Sequence, residues 1–227
     1  MAQPQETPGQ DPVQLSLFPL NLVLFPGMSL PLHIFEERYK AMIGDCLDRG
    51  EPFGIVLIKE GREVGEPAEP FRIGTTARIV QAETLEEGRL NIMTRGEHRF
   101  ELVEVTQQLP HLAGQVKILD EVPGDEPSVA TAEIAEGYAT FLRNLTALAG
   151  GWTAQGQVPD DPVQLSFTVA ASLATSIDIP SQVRQQLLEA ATAKERLDLL
   201  LEPLNRGNEV LAAEVEKRNP FRGPRLN

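Results

Sequence analysis

One cysteine in 227 residues, Cys46, leaves no internal disulfide to staple the fold and suits a reducing compartment. Histidine is almost as scarce. His33, His98 and His111 lie in separate segments with no His-x-x-x-His spacing, and one thiol cannot complete a zinc set, so neither a metal nor a cofactor is expected. None of the five lysines, Lys40, Lys59, Lys117, Lys194 and Lys217, follows a glycine, which excludes the Gly-Lys-Ser/Thr loop that cradles nucleotide phosphates. Cations are few: 20 Lys and Arg stand against 33 acids, for a net charge of −13. Phosphate contacts need clustered basic side chains, so nucleic acid and anionic membrane surfaces are not expected partners. No apolar run approaches the roughly 20 residues that span a bilayer as a helix. The opening MAQPQETPGQDP has neither a basic nor an apolar leader region. A cytoplasmic protein with a disordered tail over residues 1–12 is the expectation.

What is present is ordinary globular material, 41% apolar and 23% charged, with a concentrated beginning. From Leu15 to Tyr39 the chain reads LSLFPLNLVLFPGMSLPLHIFEERY. Pro19, Pro26 and Pro31 divide its apolar run into pieces too short for helices, so buried strands joined by rigid turns are predicted. Pro26-Gly27 is the sharpest signal, since a type II turn takes Pro at its second position and a positive-φ residue at its third. Glu36 and Glu37 then suit a helix first turn, and Tyr39, Met42, Ile43 and Cys46 or Leu47 recur at helical spacing.

From Phe53 to Leu119 the period is that of strands: Phe53–Ile58, Phe71–Ala82, a turn at Glu86-Glu87-Gly88, Leu90–Met93, a second turn at Arg95-Gly96-Glu97, then Arg99–Val105 and Gln115–Leu119. The run from Asp120 to Pro127 has the composition of a linker. Beyond it, Ile134, Tyr138, Phe141, Leu142, Leu145 and Leu148 form one helical stripe that stops at Gly150-Gly151. Asp160 or Asp161 is placed to cap a helix opening at Pro162 and presenting Leu165, Val169 and Leu173. A short helix follows Ile179-Pro180-Ser181, and a last one carries Leu197, Leu200, Leu201 and Leu204 up to an interruption at Arg206-Gly207-Asn208.

Three of these stretches carry a resemblance. LFPLNLVLFPGMSLPLHIFEERY resembles the opening of the Lon protease N-terminal, substrate-recruiting domain; Arg72–Ile79 is similar to its Val-Gly-Thr-x-Ala-x-Ile strand; and Asp161–Leu165 through Glu195-Arg196-Leu197 resembles its closing helical segment. The likeness covers roughly residues 13 to 205. It implies an α+β fold, a PUA-like β pseudobarrel with one helix followed by a C-terminal α-helical bundle subdomain. The expected division is 1–12 tail, 13–119 β subdomain, 120–127 linker, 128–205 helical subdomain packed on itself and on the barrel, and 206–227 C-terminal tail. It also implies a stand-alone form without the ATPase and protease domains.

Chemistry is sparse. The adjacent acids Glu36-Glu37, Glu86-Glu87 and Asp160-Asp161 are explained by helix starts, caps and turns better than by acid–base work, which needs carboxylates converging in a pocket. The expected protein is therefore no enzyme but a binding module for polypeptide substrates or partner proteins. The alternative is a small-molecule-binding or enzymatic barrel with its site in a cleft between the subdomains. PUA-like barrels that bind RNA are disfavoured by the acidity. The expected contact surface is Phe25, Met28, Ile34 and Phe35, with Glu36, Glu37 and Arg38 as a charged border. Met and Phe suit adaptable contacts with varied partners, and the same apolar residues can equally be core.

Overall fold

The computed structural model describes residues 11–61, 69–124, 129–150 and 156–218. They fall into two compact units, one formed by residues up to 120 together with 184–189, the other by 121–183 and 190 onwards.

In the first unit the apolar opening becomes β1 (Val13–Leu20) and β2 (Ser29–Ile34), followed by α1 (Glu37–Arg49). Next come β3 (Phe53–Glu60), the two-residue β4 (Glu69–Pro70), β5 (Ile73–Thr84), β6 (Leu90–Gln107) and β7 (Leu112–Ile118). Neighbouring strands run antiparallel along β1-β7-β6-β5-β3, and β1 then pairs parallel with β3, so five strands close into a ring. This is the expected β pseudobarrel. β6 is its spine, long enough to bond β5 along much of its length while its first half bonds β2 and its second half β7.

Two apolar clusters fill the unit. One joins Phe18, Leu24, Phe53 and Ile55 to the buried face of α1, Tyr39, Met42, Ile43 and Cys46; the other holds Leu17, Val56, Phe100 and Val116. Each Leu, Ile, Val, Phe or Met side chain among them, fully buried, stabilises the fold by about 1.5–3 kcal/mol. Leu47, the other choice for the helix stripe, faces solvent. The opening is also tied by hydroxyls: buried Thr75 donates to the Leu24 carbonyl at 2.6 Å, and Thr94 to that of Leu30 at 2.9 Å.

Two expectations about this unit are corrected. Pro19 and Pro31 do not separate strands but lie within β1 and β2. Pro31 is tolerated because β2 bonds only β6 among the described residues, leaving its other edge without a strand to receive an N–H. Arg95-Gly96-Glu97 makes no turn, because β6 runs through it. Gly96 is instead where the Phe25 carbonyl comes so close that a Cβ would collide with it.

In the second unit α2 (Val129–Leu148), α3 (Pro162–Ser176) and α5 (Ala193–Arg218) carry the core, while α4 (Ser181–Glu189) has its residues divided between the units. Asp161 caps α3 by accepting from the Gln164 N–H at 2.8 Å, with Pro162 at the first helical position. Ile134, Tyr138 and Phe141 of α2, Leu165, Val169 and Leu173 of α3, and Leu197, Leu200 and Leu204 of α5 are buried. The expected interruption at 206–208 is absent, and α5 continues to Arg218. Gly207 is buried there because a Cβ would press on Ile177, Phe141 and Leu173 at 3.1–3.2 Å, and Asn208 donates to the Gly137 carbonyl at 3.0 Å.

Candidate functional site

The turn at the start of β2 sets the geometry. Met28 N–H donates to the Phe25 carbonyl at 3.0 Å with Gly27 at φ 80°, as a type II turn over Phe25–Met28 requires. Gly27 N–H then donates to the Gly96 carbonyl at 2.8 Å, and Gly96 N–H to that of Met28 at 2.9 Å. Two residues facing one, the first a glycine in the left-handed region, make a G1 bulge. One glycine thus serves both the turn and the bulge that starts the β2–β6 ladder.

Below the bulge the register is regular, with Leu30 opposite Thr94, Leu32 opposite Ile92 and Ile34 opposite Leu90. Those residues face the core. The alternate set, Pro31 opposite Met93 and His33 opposite Asn91, faces outward, and Gln81 and Glu83 of β5 extend it, since they pair with Met93 and Asn91. Together they line a surface groove of about 410 Å³. His33 Nδ1 lies 2.7 Å from Asn91 Oδ1, and its ring stacks on Phe35 with 6.1 Å between centroids.

The seven residues singled out from sequence are divided by this geometry. Phe25 at 0% and Ile34 at 1% exposure are core, because the turn and the pleat aim them inward, and they present no contact surface. Met28 is half-buried against the same core. Phe35 is 54% exposed and stands at the edge of the outward face. Glu36 precedes α1 as its N-cap residue without a side-chain cap bond and receives Arg38 Nε at 3.0 Å, while Arg38 also lies over the Tyr39 ring, 4.6 Å from its centre. Exposed Glu37 pairs with Lys40 at 2.6 Å, and Lys40 reaches the Glu87 carbonyl at 2.9 Å. The border is therefore internally neutralised. Pro31, His33, Gln81, Glu83, Asn91 and Met93 were not singled out from sequence; the signal that finds them is the strand alternation once the pairing partner of β2 is known.

The second unit has its own concavity, about 710 Å³, bounded by Ile177, Ile179, Val183, Val210 and Leu211 with acids and bases at its margin. Among the described residues no group of three His, Cys, Asp or Glu is placed to hold a metal ion, and no helix is long and apolar enough to cross a membrane.

Two buried arginines organise the interior. Arg99 donates to the Leu188 carbonyl at 2.7 Å within the first unit. In the second, Arg196 donates to Ser166 Oγ at 2.9 Å and to the Ala190 carbonyl at 3.1 Å, lies 3.6 Å from the Glu121 carboxylate, and sits 3.8 Å from the centre of the Phe167 ring.

A closed five-strand barrel with one packed helix, and a second unit of amphipathic helices, define the class: a two-unit α+β protein with an outward sheet face beside its first turn. The chain belongs to the ATP-dependent protease La (LON) substrate-binding domain family, whose model matches residues 14–206. It is 31% identical over 214 residues to a Lon protease of Paraburkholderia phytofirmans, covering 92% of this chain and 26% of that protein. To a Lon protease of Anaeromyxobacter dehalogenans it is 28% identical over 208 residues, covering 88% and 24%. The chain thus spans about a quarter of the length of these relatives. The crystal structure of a Lon N-terminal domain protein from Xanthomonas campestris superposes with a TM-score of 0.64 at 27% identity, over 84% of this chain and 98% of that one. The N-terminal domain of a Mycobacterium avium complex Lon protease does so at 0.58 and 23% identity, covering 85% and 98%, and bears on the fold alone.

Proposed function

We propose that this chain recruits polypeptide, holding unfolded or partner segments on the outward face of β2, β6 and β5, and that it does so without catalysis. Membership of a family described as a substrate-binding domain supports the recruiting role. The observation that carries the site is Phe35: a large ring, 54% exposed, stacked on His33 at the margin of the groove formed by Pro31, Gln81, Asn91 and Met93. An aromatic ring beside hydrogen-bonding side chains is the combination that anchors protein contacts. Absence of a Gly-Lys-Ser/Thr loop from the sequence supports the non-catalytic part.

The test compares wild type with Phe35→Asp for capture of unfolded casein, with circular dichroism as the folding control. Loss of capture with an unchanged spectrum is expected. Wild-type protein that captures no casein, or ATP-dependent casein breakdown that survives re-purification, overturns the proposal.

A further inference from the structure

Among the described residues, the β5–β6 hairpin leaves one strand edge open. Leu85 N–H donates to the Arg89 carbonyl at 2.7 Å, and Glu83 and Gln81 continue that series opposite Asn91 and Met93. The antiparallel ladder alternates, so the N–H and C=O groups of Ala82 and Thr84 turn away from β6. The other side of β6 agrees: Gly96, two residues beyond Thr94, bonds towards β2, which assigns the even-numbered residues of this half to β2 and the odd-numbered ones to β5. β3 meets β5 only at Thr75, Thr76 and Ala77, so among the described residues no strand covers β5 beyond Arg78. Residues 80–84 are all exposed, Val80 by 58%.

Natural sheets blunt such edges with proline, lysine or bulges, because an open row of backbone donors and acceptors is a template for another strand. The edge of β2 follows that rule. Its outward positions are Ser29, Pro31 and His33, and Pro31 has no N–H to offer. On β5 a register shift between Ile79 and Gln81 interrupts the start of the edge, but from Gln81 to Thr84 there is neither proline nor lysine. The one charge in that stretch is Glu83, with Glu86 exposed at the hairpin tip and a net charge of −13 on the whole chain.

We propose that β5 takes up an extended cationic polypeptide segment by strand addition along Gln81–Thr84. The proposal rests on the polypeptide-recruiting reading above and specifies how the polypeptide is held. The free row of backbone groups dictates an extended backbone as the occupant, and the acids select basic side chains. Alternation gives the segment two faces. Side chains on the groove side lie beside Gln81 and Glu83, which line the same groove as His33 and Asn91, so Lys or Arg is favoured there. Those on the opposite side lie beside Ala82 and Thr84, where small or β-branched residues fit. Sequence recognition is loose, because backbone bonds are indifferent to side chains.

The probe is a fluorescent Lys-Val-Lys-Val-Lys-Val peptide, titrated against wild type and Ala82→Pro, with the same peptide N-methylated at every valine titrated against wild type. Ala82 N–H is outside the β5–β6 ladder, so the proline removes an outward donor and no internal bond. The expected result is an affinity at least about tenfold lower for Ala82→Pro and for the N-methylated peptide, the scale of one or two lost hydrogen bonds. The methylated peptide keeps the test valid if Ala82→Pro does not fold. Equal binding in both comparisons overturns strand addition. Wild type that captures casein yet ignores the peptide also overturns it and leaves recruitment standing, whereas capture of neither overturns both. A wild-type dimer that Ala82→Pro abolishes assigns the edge to a second copy of the chain and equally overturns the proposal.

Discussion

Gly27 and Gly96, 69 residues apart, are joined by a 2.8 Å hydrogen bond from the amide of the first to the carbonyl of the second. A side chain is unfavourable at both positions, for different reasons. Gly27 has open space where a Cβ would go but a φ of 80°, whereas at Gly96 a Cβ would run into the Phe25 carbonyl.

The two glycines are therefore distinguishable by substitution. Gly27→Val should destabilise the protein by about 1–3 kcal/mol through backbone strain alone. Gly27→Asn should cost less, since Asn adopts positive φ more readily. Gly96→Ala, which forces backbone apart, should cost about 2 kcal/mol or more and is not rescued by Asn. Chemical denaturation of the four proteins measures this. Equal midpoints for wild type and Gly96→Ala would show that the turn and β6 are not in contact.

Arg196 is fully buried and bonded to Ser166 and Ala190 with Glu121 close by. Arg196→Ala should destabilise by about 3 kcal/mol, because it leaves a cavity and strands those acceptors. Arg196→Lys should recover only part of this, since one ammonium group cannot reproduce the guanidinium fork or its stacking on Phe167. Thermal unfolding of both variants is the check, and full recovery by Lys would refute the bidentate role.

Cys46 lies in the core of α1, where burial, with lesser contributions from Glu51 and Asp45, pushes its thiol up to about 11. At pH 8 the reactive thiolate is a small minority of an already enclosed group. Iodoacetamide should label the native protein far more slowly than the protein in denaturant. Equal rates, followed by mass spectrometry, would contradict the packing of α1.

His111 is partly enclosed: burial lowers its pKa below 6.5, its Nε2 lies 3.2 Å from Ser16 Oγ, and its Nδ1 has no hydrogen-bond partner among the described residues. The folded protein thus resists a proton that the unfolded chain accepts. In the window from about 6.5 down to the lower folded value, the unfolded state binds more protons, so stability falls as pH falls. His111→Gln should flatten that part of the stability profile measured by denaturation between pH 7.5 and 5.5. An unchanged slope would mean that another group controls the acid limb.

Local chemistry alone determined much of this protein. The Pro26-Gly27 turn, the helix beginning after Glu36, the Asp161 cap with Pro162, and the exchange of strand for helix period across 120–127 all depend on residues within a few positions of one another. Dihedral limits, capping bonds and apolar periodicity are properties of neighbours in the chain, so they are legible without a fold. Tertiary structure decided what depends on approach from a distance. Gly96 and Gly207 look like breaks, yet each lies inside a continuous element, because the missing side chain makes room for Phe25 in one case and for Phe141, Leu173 and Ile177 in the other. Phe25 and Phe35 are equally apolar in sequence. The bulge against Gly96 buries the first, and the end of β2 leaves the second in solvent beside His33. Likewise, among the described residues β5 has no neighbouring strand on that edge beyond the end of its β3 pairing at Ala77, and no pattern within residues 80–84 announces which strand will or will not lie beside them.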